Sequence, residues 1–218
     1  MNYFLLCIGI GSLVYGGIIL VKGASSLSRM LGVSSLIIGL TVVSFGTTTP
    51  ELFVSLIAAL NNEGEIAFGN IIGSNIVNIL LILGISASFS GLRIRYSTIW
   101  REIPFSFLAA GLLLLFSVDF FGEQSTAGIL SQKEGIILIA FFCVFLYYIY
   151  TAVKQRSKTA EDTLPAEKKY PFWTTAIMLC GGIVLLYVGA KFVVHSSVDI
   201  ARDLGISEFL ISATIIAL

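Results

Sequence analysis

Apolar segments long enough to cross a lipid bilayer follow one another along this sequence. A helix needs about 20 mainly apolar residues to cross the hydrocarbon core, so each segment is predicted to be a transmembrane helix. An isolated strand in lipid would leave its backbone unpaired, which excludes the other regular structure. The sequence therefore predicts an all-α integral membrane protein with six complete spans and a truncated seventh that begins near Ile206. The six spans are Tyr3–Val21, Val33–Leu60, Ile66–Phe89, Ile99–Val118, Glu134–Val153 and Phe172–Val194.

The composition excludes several other classes of protein. Of the 218 residues, 56% are hydrophobic and only 12% are charged, about half the usual share of a soluble domain. The formal net charge is zero, so nucleic acid is not a predicted partner. Cys7, Cys143 and Cys180 stand singly in apolar runs and show no metal or redox spacing. No catalytic grouping of His, Cys and Asp occurs within the spans, so we predict neither an enzyme nor a cofactor.

Basic residues are concentrated in alternate loops. Such residues mark the cytoplasmic loops of membrane proteins. We therefore predict a multi-pass protein of the cell membrane with its N-terminus outside and loops one, three and five in the cytoplasm. These loops hold Arg29, Arg93, Arg95, Arg101, Lys154, Arg156, Lys158, Lys168 and Lys169, whereas loops two and four hold only Lys133.

The sequence also matches itself at an offset of 173 residues. The stretch GGIILVKGASSLSRMLGVSSLIIGLTVVSF, from Gly16, aligns without gaps with GAKFVVHSSVDIARDLGISEFLISATIIAL, from Gly189. Five spans separate the two starts, so the second copy should enter the membrane from the opposite side. Inverted repeats of this kind are typical of secondary transporters. We predict a first five-span repeat over residues 1–153, a cytoplasmic linker over 154–170 and the start of a second repeat over 171–218.

The second span contains a polar interruption, FGTTTPEL, over residues 45–52. Pro50 lacks an N–H group and Gly46 adds backbone freedom, so the helix should break here. The break would free the carbonyls of Ser44–Thr47 and place Glu51 at the start of a half-helix, where its charge is favoured. Together with the hydroxyls of Thr47, Thr48 and Thr49, these hard oxygens suit Na⁺ or Ca²⁺. The alternative is that Glu51 is a protonated, structural carboxylate, although an acid within the membrane is by default a functional residue.

The third span carries a matching polar face and is the other helix that we expect to be broken. Asn70, Ser74 and Asn78 follow one another at a spacing of four, and Gly69 and Gly73 permit close helix approach. Ser74 and Asn78 are predicted cation ligands. For Asn70 and Asn75, hydrogen bonding between helices is an equal alternative. Lys22 and His195 are predicted to lie at span ends.

These motifs resemble a known family. GTTTPEL followed by GNIIGSNIVNILLILG is similar to the first alpha-repeat of the cation/calcium exchanger superfamily, which includes the sodium/calcium exchangers and their prokaryotic relatives. The resemblance implies ten spans in two inverted five-helix repeats, with ion sites between spans two and three and their counterparts. It implies that Glu51 is the central acidic ligand of both ions. It also implies that Thr47, Thr48, Ser74 and Asn78 supply side-chain oxygens and Ser44 its carbonyl.

The resulting prediction is a secondary-active antiporter that exchanges Ca²⁺ for Na⁺ by alternating access in the lipid bilayer. H⁺/Ca²⁺ exchange is the first alternative, and a cation channel or a non-transporting scaffold are alternatives from other classes. We expect the sequence to be an N-terminal portion, because Leu218 corresponds to Phe45, one residue before a second copy of the motif would begin. The oligomeric state is left open.

Overall fold

The computed structural model describes residues 2–32, 38, 42–92, 98–117, 130–157 and 170–217, and the regular elements in these ranges are all helical. Residues 1–85 and 160–218 form one compact unit, and residues 86–159 form another. In the first unit the helices are α1 (Asn2–Met30), α2 (Ser44–Thr47), α3 (Thr49–Leu60), α4 (Gly64–Phe89), α7 (Phe172–Leu204) and α8 (Glu208–Ile211). In the second they are α5 (Ile103–Ser117), preceded by a π-helical turn at Thr98–Glu102, and α6 (Gln132–Ser157).

Five of the described helices are long and apolar enough to cross a membrane, which confirms an all-helical, multi-pass membrane protein. They coincide with five of the six complete spans predicted. The remaining one, the second, is described only in part, because residues 33–37 and 39–41 lie outside the described ranges. The same is true of most of the predicted linker and of Arg93 and Arg95.

Helices α1 and α7 form the antiparallel centre of the first unit. They have 29 and 33 residues, which correspond to about 44 and 50 Å. The two helices run in opposite directions, as two contacts show. Ser26 Oγ lies 2.9 Å from Thr175 Oγ1, and Ser12 Oγ, earlier on α1, donates to the carbonyl of Leu185, later on α7, over 2.8 Å. Both helices continue well beyond the predicted span ends near Lys22 and His195. The helices therefore outlast the apolar runs because their polar ends stay helical and bury serines against neighbouring helices, while the span ends themselves stay a prediction.

The residues that pack α1 against α7 are equivalent to each other in the internal repeat. A Cβ on Gly9 would lie 3.0 Å from both the Gly189 carbonyl oxygen and the Val193 nitrogen. A Cβ on Gly182 would lie 3.0 Å from the Gly16 carbonyl oxygen and the Leu20 nitrogen. Each residue of the second set is related to one of the first by the offset of 173. The repeat therefore extends towards the N-terminus to include Gly9 and Gly182, and these glycines let the two backbones touch.

The ends of these two helices are also equivalent. Gly32 and Gly205, which are related by the same offset, have φ of 79° and 66°. The Gly32 N–H donates to the Arg29 carbonyl over 3.1 Å, and the Gly205 N–H donates to the Arg202 carbonyl over 3.3 Å. A left-handed residue is a common way to end a helix, and glycine adopts it without strain. The recurring glycine at this point of the repeat is thus a helix-ending residue.

Helix α4 packs against the residues that follow Ser207. A Cβ on Gly69 would lie 2.7 Å from the Phe209 carbonyl oxygen, and one on Gly73 would lie 2.5 Å from that of Ala213. The Ser212 hydroxyl donates to the Ile66 carbonyl over 2.7 Å. The glycine pair does permit the close approach that its spacing suggests.

The second unit consists of two packing helices with an aromatic contact. The Phe105 ring on α5 lies 5.6 Å from Phe141 and 5.7 Å from both Phe145 and Tyr148 on α6. A small cavity of about 210 Å³ lies between the two helices and is lined mainly by aromatic and aliphatic side chains. The described part of this unit carries none of the predicted ion ligands.

Candidate functional site

The site lies where α2 gives way to α3. Thr48 separates the two helices with φ −96° and ψ 0°, and Pro50 stands in the first turn of α3, where its missing N–H leaves no helical bond unmade. Gly46 has no positive φ, so backbone freedom is not its role, contrary to the sequence prediction. Gly46 instead makes room for α1, because a Cβ at this position would overlap the side chain of Val21.

The threonine hydroxyls turn back onto the carbonyls of α2. Thr47 Oγ1 donates to the Ser44 carbonyl over 2.9 Å, and Thr48 Oγ1 donates to the Phe45 carbonyl over 3.1 Å. Thr49 Oγ1 also donates to the Phe45 carbonyl, over 2.8 Å. The predicted free carbonyl of Ser44 is therefore an acceptor for hydroxyl groups in this structure. A hydroxyl that donates to a carbonyl keeps oxygen lone pairs, so Thr47 and Thr48 remain capable of binding a cation.

Glu51 lies in the first turn of α3 and is half-buried. Its Oε2 is buried and accepts no hydrogen bond from the described part of the chain. A buried carboxylate oxygen without a partner is unusual in a folded protein and calls for an explanation, such as an ion or water that is bound in use. Glu51 thus combines a charge within an apolar helix with an oxygen that is free to coordinate.

The polar face of α4 divides into two parts. Asn70 is buried, and its Nδ2 donates to the Glu51 carbonyl over 3.0 Å and to Ser55 Oγ over 2.9 Å. Asn70 thus ties α4 to α3 at the level of Glu51, as the hydrogen-bonding alternative suggested. Asn75 Nδ2 bonds to the Ile71 carbonyl of its own helix.

The two predicted ligands on α4 are in different environments. Ser74 is buried, and its hydroxyl has no partner in the described part of the chain. Asn78 is exposed and lies in the π-helical segment Val77–Ile82, which interrupts α4. A π-helical segment within an α-helix is frequently found at a functional site.

A cavity of about 510 Å³ joins α1, the α2–α3 junction and α4. Of the predicted ligands, Thr47 and Glu51 line it, together with Asn70. Ser44, Thr48, Ser74 and Asn78 are not among its lining residues. The remaining lining is mostly apolar: Ile10, Leu13, Val14, Gly17, Ile18, Val21, Lys22, Gly46, Pro50, Val54, Ile216 and Ala217.

Sequence reasoning missed the one basic residue among the described residues that line the cavity. Lys22 was placed at a span end, but it lies on the cavity side of α1, four residues after Ile18 and eight after Val14. The spacing of four was the available signal. In contrast, His195 is 77% exposed at its side chain and lies 3.8 Å from Asp199 on the same helix.

The donor set fits a hard cation. Within the described residues, no group of three or more His, Cys, Asp or Glu side chains could hold a metal ion. The potential ligands at the cavity are one carboxylate together with hydroxyl and amide oxygens. Such oxygens suit Na⁺ or Ca²⁺ rather than a soft transition metal.

Comparison with known proteins places these features in a family. The profile described as "Sodium/calcium exchanger protein" matches residues 1–151 and 174–218. The inner membrane protein YrbG of Escherichia coli is 34% identical over 98% of this chain, which spans 65% of YrbG. The sodium/calcium exchanger MaX1 of Methanosarcina acetivorans is 34% identical over 68% of this chain and 41% of its own length.

Solved structures of the sodium-calcium exchanger NCX_Mj are similar as well. One of them, from a crystal soaked with 10 mM Na⁺ and no Ca²⁺, has a TM-score of 0.54 and 26% sequence identity. The match covers 99% of this chain and 67% of the NCX_Mj chain. The chain therefore spans about two thirds of the length of YrbG and of NCX_Mj. The family is one of ion exchangers and not of enzymes, and it confirms the resemblance found in the GTTTPEL and GNIIGSN motifs. The chain belongs to the sodium/calcium exchanger family.

Proposed function

We propose that the protein is a secondary-active antiporter that exchanges Ca²⁺ for Na⁺, with Glu51 as the ligand common to both ions. The observation that carries the proposal is the buried, unpartnered Oε2 of Glu51 beside a cavity that also receives Thr47. The membership of the family supports the same conclusion, as does the similarity to MaX1 and NCX_Mj, which are both described as sodium/calcium exchangers.

The proposed ligand set is Glu51, Thr47, Thr48, Ser44, Ser74 and Asn78. Glu51 supplies the negative charge, and the N-terminus of α3 favours its ionised form. Ser74 is included because its buried hydroxyl lacks a partner in the described part of the chain. Ser44, Thr48 and Asn78 would join only after a local movement, since they do not line the cavity here. We propose that Thr48 in the second span and the π-helical segment of α4 in the third span are the points at which these two spans bend during transport.

Alternating access requires two states of the site. We propose that the segments 1–153 and 171–218 belong to two inverted repeats, joined by a linker over 154–170. The antiparallel, symmetric contact of α1 with α7 supports this proposal, since two helices related by an inversion in the membrane must run in opposite directions.

The coupling ion is tested by transport in vesicles that contain the full-length protein. We expect ⁴⁵Ca²⁺ to accumulate when an opposing Na⁺ gradient is imposed, and not when choline replaces Na⁺. A proton gradient that drives uptake equally well without Na⁺ would instead establish H⁺/Ca²⁺ exchange. Flux that only follows the Ca²⁺ gradient, without dependence on either counter-ion, would establish a channel, and no flux or binding would favour a scaffold.

We also propose that the N-terminus lies outside, because the nine basic residues of loops one, three and five mark the cytoplasmic side. In a background without Cys7, Cys143 and Cys180, a cysteine at position 62 is expected to react with an impermeant reagent in intact cells. A cysteine at position 157 is expected to react only after the membrane is opened. The reverse pattern would overturn this orientation.

A further inference from the structure

Two residues of opposite charge line the same cavity. Among the described residues that line it, Glu51 is the only acid and Lys22 the only base. Lys22 belongs to the stripe of α1 that includes Val14 and Ile18, so the helix itself directs this position to the cavity. In the described part of the chain, Lys22 makes no ion pair within 4.0 Å. The lysine therefore adds a positive charge to the site without neutralising the carboxylate.

The contacts of Gly17 and Val21 show which part of the α2–α3 junction Lys22 lies beside. A Cβ on Gly17 would lie 3.3 Å from Pro50 Cγ, and Val21 packs directly on Gly46. Lys22 follows Val21 and so lies near the level of the α2–α3 junction. Helix α1 continues eight residues beyond Lys22, to Met30, or about 12 Å. Lys22 is exposed and is not at the end of its helix.

We propose that Lys22 is a specificity-determining residue that weakens cation binding at Glu51, and weakens divalent ions more than monovalent ones. The physical reason is that the Coulomb energy between the ammonium and a bound ion is proportional to the charge of the ion. At one position in the cavity, Ca²⁺ is therefore repelled twice as strongly as Na⁺. The lysine therefore favours Na⁺ over Ca²⁺ when the two ions compete for the site. This inference rests on the proposed function of the same site.

The chain supplies a matched control on the repeat-related helix. Lys191 is exposed on α7, and its Nζ lies 5.2 Å from the centre of the Tyr187 ring. Lys191 does not line the cavity. Its replacement by Met makes the same chemical change on a long helix of the same unit, without removing charge from the cavity.

The experiment measures equilibrium binding of Ca²⁺ to the purified full-length protein by calorimetry, with Na⁺ affinity obtained from competition. Two neutral variants, Lys22→Met and Lys22→Gln, are compared with Lys22→Arg, Lys191→Met and the wild type. We expect both neutral variants to bind Ca²⁺ about tenfold and Na⁺ about threefold more tightly, since doubling the ionic charge squares the factor. Lys22→Arg and Lys191→Met should stay within about twofold of the wild type.

The outcomes separate the inference from the proposed function. A wild type that binds both ions, with neutral variants whose affinities are unchanged or change by one common factor, would refute the role of Lys22 alone. An equal effect of Lys191→Met would refute it too, because the charge would then act from outside the cavity. A wild type that binds neither ion would refute the proposed function and this inference together.

Discussion

Replacement of Glu51 by Gln is expected to reduce Na⁺-dependent Ca²⁺ exchange by at least about 100-fold. The substitution keeps the shape of the side chain and removes the only negative charge among the described residues that line the cavity. A divalent ion a few ångströms from a carboxylate loses several kcal/mol of attraction when that charge is removed, even at the effective dielectric constant of about 20 that suits protein sites. Initial rates of ⁴⁵Ca²⁺ uptake into vesicles with full-length protein measure the effect.

The same substitution is expected to leave the fold intact. Glu51 Oε2 accepts no hydrogen bond in the described part of the chain, so no bond that the structure shows for this oxygen is lost. Thermal unfolding in detergent should therefore occur at or above the wild-type temperature. This combination distinguishes a ligand from a structural carboxylate, whose loss would lower stability.

Glu65→Gln is the matched control for Glu51→Gln. Glu65 is exposed in the first turn of α4, beside the same pair of helices but away from the cavity. Its Oε2 accepts a long hydrogen bond, 3.3 Å, from the Phe209 N–H, which a Gln oxygen can also accept. Exchange by Glu65→Gln should stay within about twofold of the wild type. Exchange by Glu51→Gln at a similar level would remove Glu51 from the site.

Hydropathy predicted where the helices lie but not where they end. The apolar runs of α1 and α7 were read as 19 and 23 residues, because Lys22 and His195 looked like boundary residues. The structure extends both helices by about nine more residues, and these extensions bury Ser25 and Ser26 on α1 and Ser196 and Ser197 on α7. Whether a serine ends a span or packs against a neighbour depends on the partner helix, which hydropathy does not describe.

Local chemistry predicted the centre of the site, and tertiary packing determined its surroundings. Glu51 and Thr47 could be selected because a proline, an acid and hydroxyl groups occur together in an apolar run. For Lys22 the spacing of four along α1 was a weak signal, because its position on the cavity also follows from the contact of Val21 with Gly46, two residues that are 25 positions apart. The role of Gly46 was missed for the same reason, since close approach and backbone freedom both select glycine.

Leucine at Gly9 or at Gly182 is expected to destabilise the protein strongly and to similar extents. A Cβ at Gly9 would lie 2.9 Å from Val193 Cγ2, and one at Gly182 would lie 3.0 Å from the Leu20 Cβ. Leucine adds three further carbon atoms at each place. Backbone atoms form most of the opposing surface, so rotamer changes cannot relieve the overlap. Overpacking typically costs about 1–3 kcal/mol, and a forced separation of two long helices should reach or exceed the upper value.

Two nearby glycines provide the controls for this prediction. Gly11 and Gly181 have no atom within 4 Å of a Cβ built on them, so Leu at either position should be tolerated. With about 2–4 °C per kcal/mol for a chain of this size, the unfolding temperature in detergent should fall by about 6–12 °C for Gly9→Leu and Gly182→Leu. It should change by less than about 2 °C for Gly11→Leu and Gly181→Leu. Because the contacts of Gly9 recur at Gly182 through the offset of 173, a large loss at one position and tolerance at the other would contradict the symmetric packing of α1 on α7.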